Sequence, residues 1–170
     1  MNRRLKAGLK AHMDPILSSF DRQFSLLDGR SRQLLAKIED DRLFERPGDV
    51  ASTLVPLSCG EYILRSAAMV EKTFGGITTR LWDDPFEWTL PEKLSTTAAV
   101  LAYLDEVEET RQKGFSFFTS DADLTRKMPA PEKLRTVHDI LLDAIVTASH
   151  FQGRAFAIFQ TISDQKLPRL

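Results

Sequence analysis

The stretch that decides the fold is TVHDILLDAIVTASHFQGRAFAIFQTI, residues 136–162. Its apolar residues recur every three or four positions, which is the spacing of one face of an α-helix. This apolar stripe comprises Ile140, Ala144, Ala148, Phe151, Ala155, Ile158 and Ile162. Thr136 and Asp139 precede the stripe as a variant of the capping box and mark where the helix begins. We therefore predict a long amphipathic helix that closes a helical bundle.

Three further segments upstream show the same period. The first begins at Asp14-Pro15, an N-cap followed by proline at the first helical position, and Asp28-Gly29 is a point where it can kink or split. The second opens with a capping box at residues 58–61, and the third runs from about 95 to 119. No strand pattern competes over a useful length. Four such helices predict an all-α protein, a four-helix bundle.

The connections between these helices are long, covering residues 39–57, 82–94 and 120–135. The middle connection carries Trp82, Phe86 and Trp88. Long connections in a bundle cover its ends or carry function, and both interpretations of these aromatic residues stay open.

The whole-chain composition favours one domain. A chain of 170 residues with 42% hydrophobic residues can bury a core, and we assign residues 13–170 to a single domain. Residues 1–12 form a basic tail containing Arg3, Arg4, Lys6 and Lys10. A net charge of -1 argues against a nucleic-acid-binding body, so regulation through nucleic acid and the tail is a weak third hypothesis.

The chain also lacks the sequence signals of export. No apolar run approaches the ~20 residues that span a bilayer, and residues 1–12 lack the apolar core of a signal peptide. The single cysteine, Cys59, rules out an internal disulfide. We therefore predict a cytoplasmic protein with no membrane partner.

Three side chains are candidates for chemistry. His150 lies on the edge of the last apolar stripe, either as a solvated boundary residue or as an acid, base or ligand in a bundle cleft. Cys59 lies at a helix N-terminus, where the dipole can lower a thiol pKa, or it packs beneath the cap. Arg111 falls on an apolar face and needs a partner, either Asp143 or Glu108 in an ion pair or an anionic ligand.

The order of the segments resembles a known family. The pieces that carry the likeness are residues 44–48 (FERPG), 58–64 (SCGEYIL), 101–107 (LAYLDEV) and 153–158 (GRAFAI). Together they resemble the DinB/YfiT-like superfamily of bacterial four-helix-bundle proteins over roughly residues 13–165. The resemblance implies a divalent metal held by three histidines, one on the second helix and two, four residues apart, on the last. It also implies a metal-dependent transferase acting with small thiols, or a hydrolase.

At the positions where the resemblance places these histidines, the chain carries other residues. The second helix offers Arg65 or Ser66, of which the helical period favours Ser66 as the inward one. The last helix offers Thr147 and Phe151, or Val146 and His150 if the register slides by one residue. One imidazole does not make a strong site. We therefore expect no metal or other cofactor.

Two functions from different classes follow. The leading hypothesis is a small-ligand-binding or accessory protein that uses the cleft between the second and last helices. The alternative is a metal- or thiol-dependent transferase or hydrolase that uses Zn²⁺, Ni²⁺ or Mn²⁺, with His150 as ligand or base and Ser66, Thr147 or a carboxylate completing the shell. Small residues on the last helix allow close helix approach or a dimer contact, and we predict a homodimer.

Overall fold

The computed structural model describes residues 14–48, 57–85 and 91–168. The basic tail, Phe86 and Trp88 lie outside these residues. The described chain is mostly helical, which confirms the all-α prediction, with one two-stranded antiparallel sheet in which Met128 lies opposite Arg135. Its elements are α1 (Pro15–Leu35), α2 (Asp40–Leu43), α3 (Cys59–Thr79), α4 (Thr97–Phe115), β1 (Lys127–Pro129), β2 (Leu134–Thr136) and α5 (Val137–Ile162), with single 3₁₀ turns at Pro91–Leu94 and Asp121–Thr125. No helix in the described ranges has the length and apolar character to cross a bilayer.

Helix α3 begins at the capping box that the sequence predicts. The Ser58 hydroxyl accepts a hydrogen bond from the Glu61 amide at 3.2 Å, and the Glu61 carboxylate accepts one from the Ser58 amide at 2.7 Å. Helix α5 begins as predicted too, since the Thr136 hydroxyl accepts from the Asp139 amide at 3.1 Å. These bonds satisfy amides that a helix start leaves unpaired.

Helix α1 begins where the sequence predicts, but a distant residue caps it. The Asp121 carboxylate accepts hydrogen bonds from the amides of Ile16 at 3.1 Å and Leu17 at 2.9 Å. Asp14 instead accepts from the Asp121 amide at 2.9 Å. The predicted kink at Asp28-Gly29 was wrong, because α1 runs unbroken through both residues. A glycine inside a helix costs only about 1 kcal/mol relative to alanine, which tertiary packing of the apolar face can offset.

The core lies where the four long helices meet. Helices α1 and α3 each pack against both α4 and α5. The rings of Phe24, Phe74 and Phe115, one from each of α1, α3 and α4, pack together, with Phe74 at 5.1 Å from each of the other two ring centroids. Gly114 on α4 makes this possible, because the Phe74 ring lies where any larger residue would place its Cβ atom.

The sequence pattern missed the hairpin in the last connection. Its strands have three residues each, which is too short for an alternating pattern to be recognised. Met128 on β1 is buried against the core, and the Val137 amide donates to the Arg126 carbonyl at 3.0 Å. The hairpin is thereby held beside the start of α5.

Candidate functional site: a groove between α3 and α5

A groove of about 230 Å³ lies between α3 and α5, with the segment after α3 and the β1–β2 turn at its edges. We call it the α3–α5 groove. Its apolar lining residues are Met69, Trp82, Ala130, Pro131, Ile140 and Ala144. Its polar lining residues are Lys72, Thr73, Arg135, Asp143 and Thr147.

Trp82 reaches the groove because of how α3 ends. Arg80 terminates the helix in the left-handed conformation, with φ of 66°, and this reverses the chain. The indole of Trp82 then lies against Gly76, where any side chain would collide with the ring. The sequence showed the aromatic residue but not its place, since the reversal occurs at an arginine rather than a glycine.

One wall carries Lys72 of α3. Its ammonium group lies 2.7 Å from the carboxylate of Asp84, and this ion pair ties the segment that follows Trp82 to α3. Beside it, the buried Thr73 donates its hydroxyl to the Met69 carbonyl at 2.7 Å, so its oxygen lone pairs remain as acceptors.

The other wall carries Arg135, the middle residue of β2. Its guanidinium forms an ion pair with Asp143 and also donates to the Asp139 carbonyl at 3.2 Å. Sequence analysis missed Lys72 and Arg135 as site residues. The sequence gives little indication of either residue. Lys72 lies beside the apolar stripe of α3 and Arg135 beside the cap of α5, and neither belongs to a recognisable motif.

Phe151 does not lie in the core as predicted. Its side chain is half-buried and lines a smaller pocket that shares Met69 and Lys72 with the α3–α5 groove and adds Arg65. The inward position is taken by Gln152, which is 3% exposed and which sequence analysis missed. The signal was present, since Gln152 follows Ala148 by four residues, but an isolated glutamine gives no indication of its buried partner.

His150 lies outside the groove. Its side chain is exposed, and its ring meets that of Phe151 edge-on at 6.0 Å between centroids. Ser66 faces elsewhere, because it is buried and donates to the Ala148 carbonyl at 2.9 Å. Of the groups predicted to complete a shell around His150, Thr147 and the carboxylate of Asp143 line the groove, and Ser66 does not. In the described ranges, no three His, Cys, Asp or Glu side chains converge as a metal-binding group would.

Cys59 is fully buried under the start of α3. Burial raises the pKa of its thiol to about 12, because the thiolate would lose its hydration. The thiol is therefore protonated at neutral pH, and the structure favours the packing interpretation over a nucleophile.

Arg111 is buried on α4 and bound by two carboxylates. Glu108 accepts from its guanidinium at 2.8 and 2.6 Å, and Asp21 of α1 forms the second ion pair. Burial works against the charge, but these two partners outweigh it and raise the Arg111 pKa. The predicted partner Glu108 is confirmed, whereas Asp143 was wrong because it pairs with Arg135.

The small cavity beside Arg111 is about 20 Å³, the space of roughly one water molecule. Ser31, Ser66 and Asp28 line it together with core residues. It is too small for an organic ligand, so Arg111 serves the ion pair rather than a binding site.

The fold and the groove together define a class of protein: an all-α chain with a groove of about 230 Å³ between two of its helices. No family model, curated protein or solved structure matches the chain.

Proposed function

We propose that the chain is a four-helix-bundle protein of DinB/YfiT-like kind that binds a small molecule in the α3–α5 groove, as a ligand-binding or accessory protein. The helix arrangement supports the first part, because α1 and α3 each pack against both α4 and α5. Such packing of each helix against two neighbours is typical of four-helix bundles. Their ligand sites lie between facing helices.

The observation that carries the proposal is the groove itself. Its volume of about 230 Å³ suits a compact organic molecule. Apolar groups from α3, α5 and the flanking segments line it, and a few polar groups converge on it. Ligand sites have this composition, because apolar surface supplies affinity and a small number of polar groups fix orientation.

Binding is favoured over catalysis because the candidate catalytic groups lie apart. His150 is exposed outside the groove, Cys59 is a buried protonated thiol, and Arg111 is held in an ion pair. A general base or nucleophile needs a partner within hydrogen-bond reach, and none of the three lines the groove.

The proposal can be tested with Trp82 as the reporter. The chain has two tryptophans, so Trp88→Phe leaves Trp82 as the only indole. Small molecules are then screened by quenching of its fluorescence. Thr147→Phe places a ring in the groove and should weaken binding of the hits by about tenfold or more, a loss of ~1.4 kcal/mol.

The matched control is Ala157→Phe, which adds the same ring at an exposed position of the same helix. It should leave the affinity unchanged. Hits that bind Thr147→Phe as tightly as the parent would show that they occupy a different site and would contradict the proposal.

A further inference from the structure

The two cations of the α3–α5 groove lie on opposite walls. Lys72 belongs to α3, and Arg135 belongs to β2, immediately before the start of α5. Each is paired with a carboxylate, so the groove is not simply a positive patch. The sign of its field depends on which member of each pair faces inward.

In both pairs the cation is the less exposed member. The Lys72 side chain is 26% exposed against 49% for Asp84, and Arg135 is 29% exposed against 62% for Asp143. Of these four charged groups, Lys72, Arg135 and Asp143 line the groove and Asp84 does not, so the lining carries two cations and one carboxylate. An anion in the groove therefore meets more positive than negative charge.

Besides these charged groups, the groove offers apolar surface to a ligand. Met69, Trp82 and Ile140 offer apolar surface. The smaller pocket that shares Met69 and Lys72 adds a third cation, Arg65, along the same face of α3.

Resting on the proposed binding function, we infer that the ligand of the α3–α5 groove is a small organic anion, with one acidic group on a compact apolar body. The acidic group lies between Lys72 and Arg135, and the apolar body packs on Met69 and Trp82. Exposed ion pairs are weak, so the acidic group of the ligand can replace Asp84 or Asp143 as the partner of a cation at little loss.

Two dyes with one skeleton test this. 8-Anilinonaphthalene-1-sulfonate carries a negative charge, and N-phenyl-1-naphthylamine is the same molecule without it. Both are titrated by fluorescence into the folded protein. We expect both to bind and the sulfonate to bind about threefold to tenfold more tightly, a preference that decreases with added salt.

Variants that change the charge of the groove test whether it prefers an anion. Arg135→Gln and Lys72→Gln should each reduce the preference for the sulfonate, and Asp143→Asn should increase it, because it releases the Arg135 cation. Arg126→Gln is the matched control, since it removes an exposed cation whose partner, Asp123, lies outside the groove. Far-ultraviolet circular dichroism confirms that each variant is folded.

The outcomes separate the two claims. Equal affinities for the two dyes, or a preference that Asp143→Asn lowers, would overturn the anion inference and leave the proposed binding function standing. Binding of both dyes that Thr147→Phe does not weaken, or no binding of either, would overturn the proposed function and the inference with it.

Discussion

Gln152 of α5 donates a hydrogen bond from its side-chain amide to the Ser31 hydroxyl of α1 at 2.8 Å, and both residues are buried. The same amide nitrogen donates to the Leu27 carbonyl at 2.6 Å. A buried amide is tolerated only when it is paired, so this contact joins α1 to α5 at one register. Gln152 occupies the interior position of α5 that the helical period predicts for Phe151.

Gln152→Leu should lower the free energy of unfolding by about 1–3 kcal/mol, because it leaves the Ser31 hydroxyl without its donor in the core. Urea denaturation followed by circular dichroism measures this change. Gln160→Leu is the control, since Gln160 is exposed on the same helix and its replacement should change stability by no more than about 0.5 kcal/mol. Equal effects of the two substitutions would contradict a role for the buried pair.

Stability should depend on pH through Glu61, the capping residue of α3. Burial raises the pKa of Glu61, but hydrogen bonds from Arg46 and Ser58 outweigh it, and the pKa is lowered overall. A lowered pKa means that the folded state favours the carboxylate. Its contribution to stability is therefore complete above the unfolded pKa of about 4.3 and is lost as pH falls through the folded pKa.

Glu61→Gln isolates this contribution, because glutamine can still close the capping box. The wild type should be more stable than the variant above about pH 5, and the difference should shrink as pH falls through 4. Urea denaturation at a series of pH values measures it, and Arg46→Gln should remove part of the same dependence. A difference that stays constant from pH 7 to pH 3 would refute the assignment to Glu61.

Metal content tests the alternative of a metal-dependent enzyme. Wild type and His150→Ala are incubated with Zn²⁺, Ni²⁺ or Mn²⁺ and desalted. Their bound metal is then measured by inductively coupled plasma mass spectrometry. We expect neither to retain stoichiometric metal, because His150 is exposed and one imidazole holds such an ion weakly. Stoichiometric metal in the wild type that His150→Ala loses would restore a metal site built on this residue.

The predicted homodimer can be tested on the outer face of α5. Leu142 and Val146 are 45% and 60% exposed and lie four residues apart, so they share one side of the helix. If this face meets a second copy, Val146→Glu should shift the protein to monomers in sedimentation velocity. Leu81→Glu is the control, because Leu81 is 63% exposed and lies just after the end of α3, away from this face of α5. A wild type that sediments as a monomer at all concentrations would contradict the prediction.

Local patterns were sufficient for the four long helices and for the starts of α3 and α5. The capping box at Ser58 and the N-cap at Thr136 act within four residues, so the chain specifies them without reference to the rest of the fold. The apolar period likewise placed Ser66 and Arg111 on inward faces, and both are buried. The likeness to DinB/YfiT proteins rests on the same local segments and remains a prediction.

The tertiary structure alone decided which polar groups meet. Asp21 and Arg111 are 90 residues apart, Asp121 and Ile16 are 105 apart, and Gln152 and Ser31 are 121 apart. The α3–α5 groove depends in the same way on a helix end at Arg80 and on a hairpin of three-residue strands. The amino-acid sequence by itself determined the four long helices, because their backbone hydrogen bonds are local, whereas the cap of α1 comes from the distant Asp121. Only packing decided the partners and the groove, because those contacts join segments whose separation leaves no periodic signal along the chain.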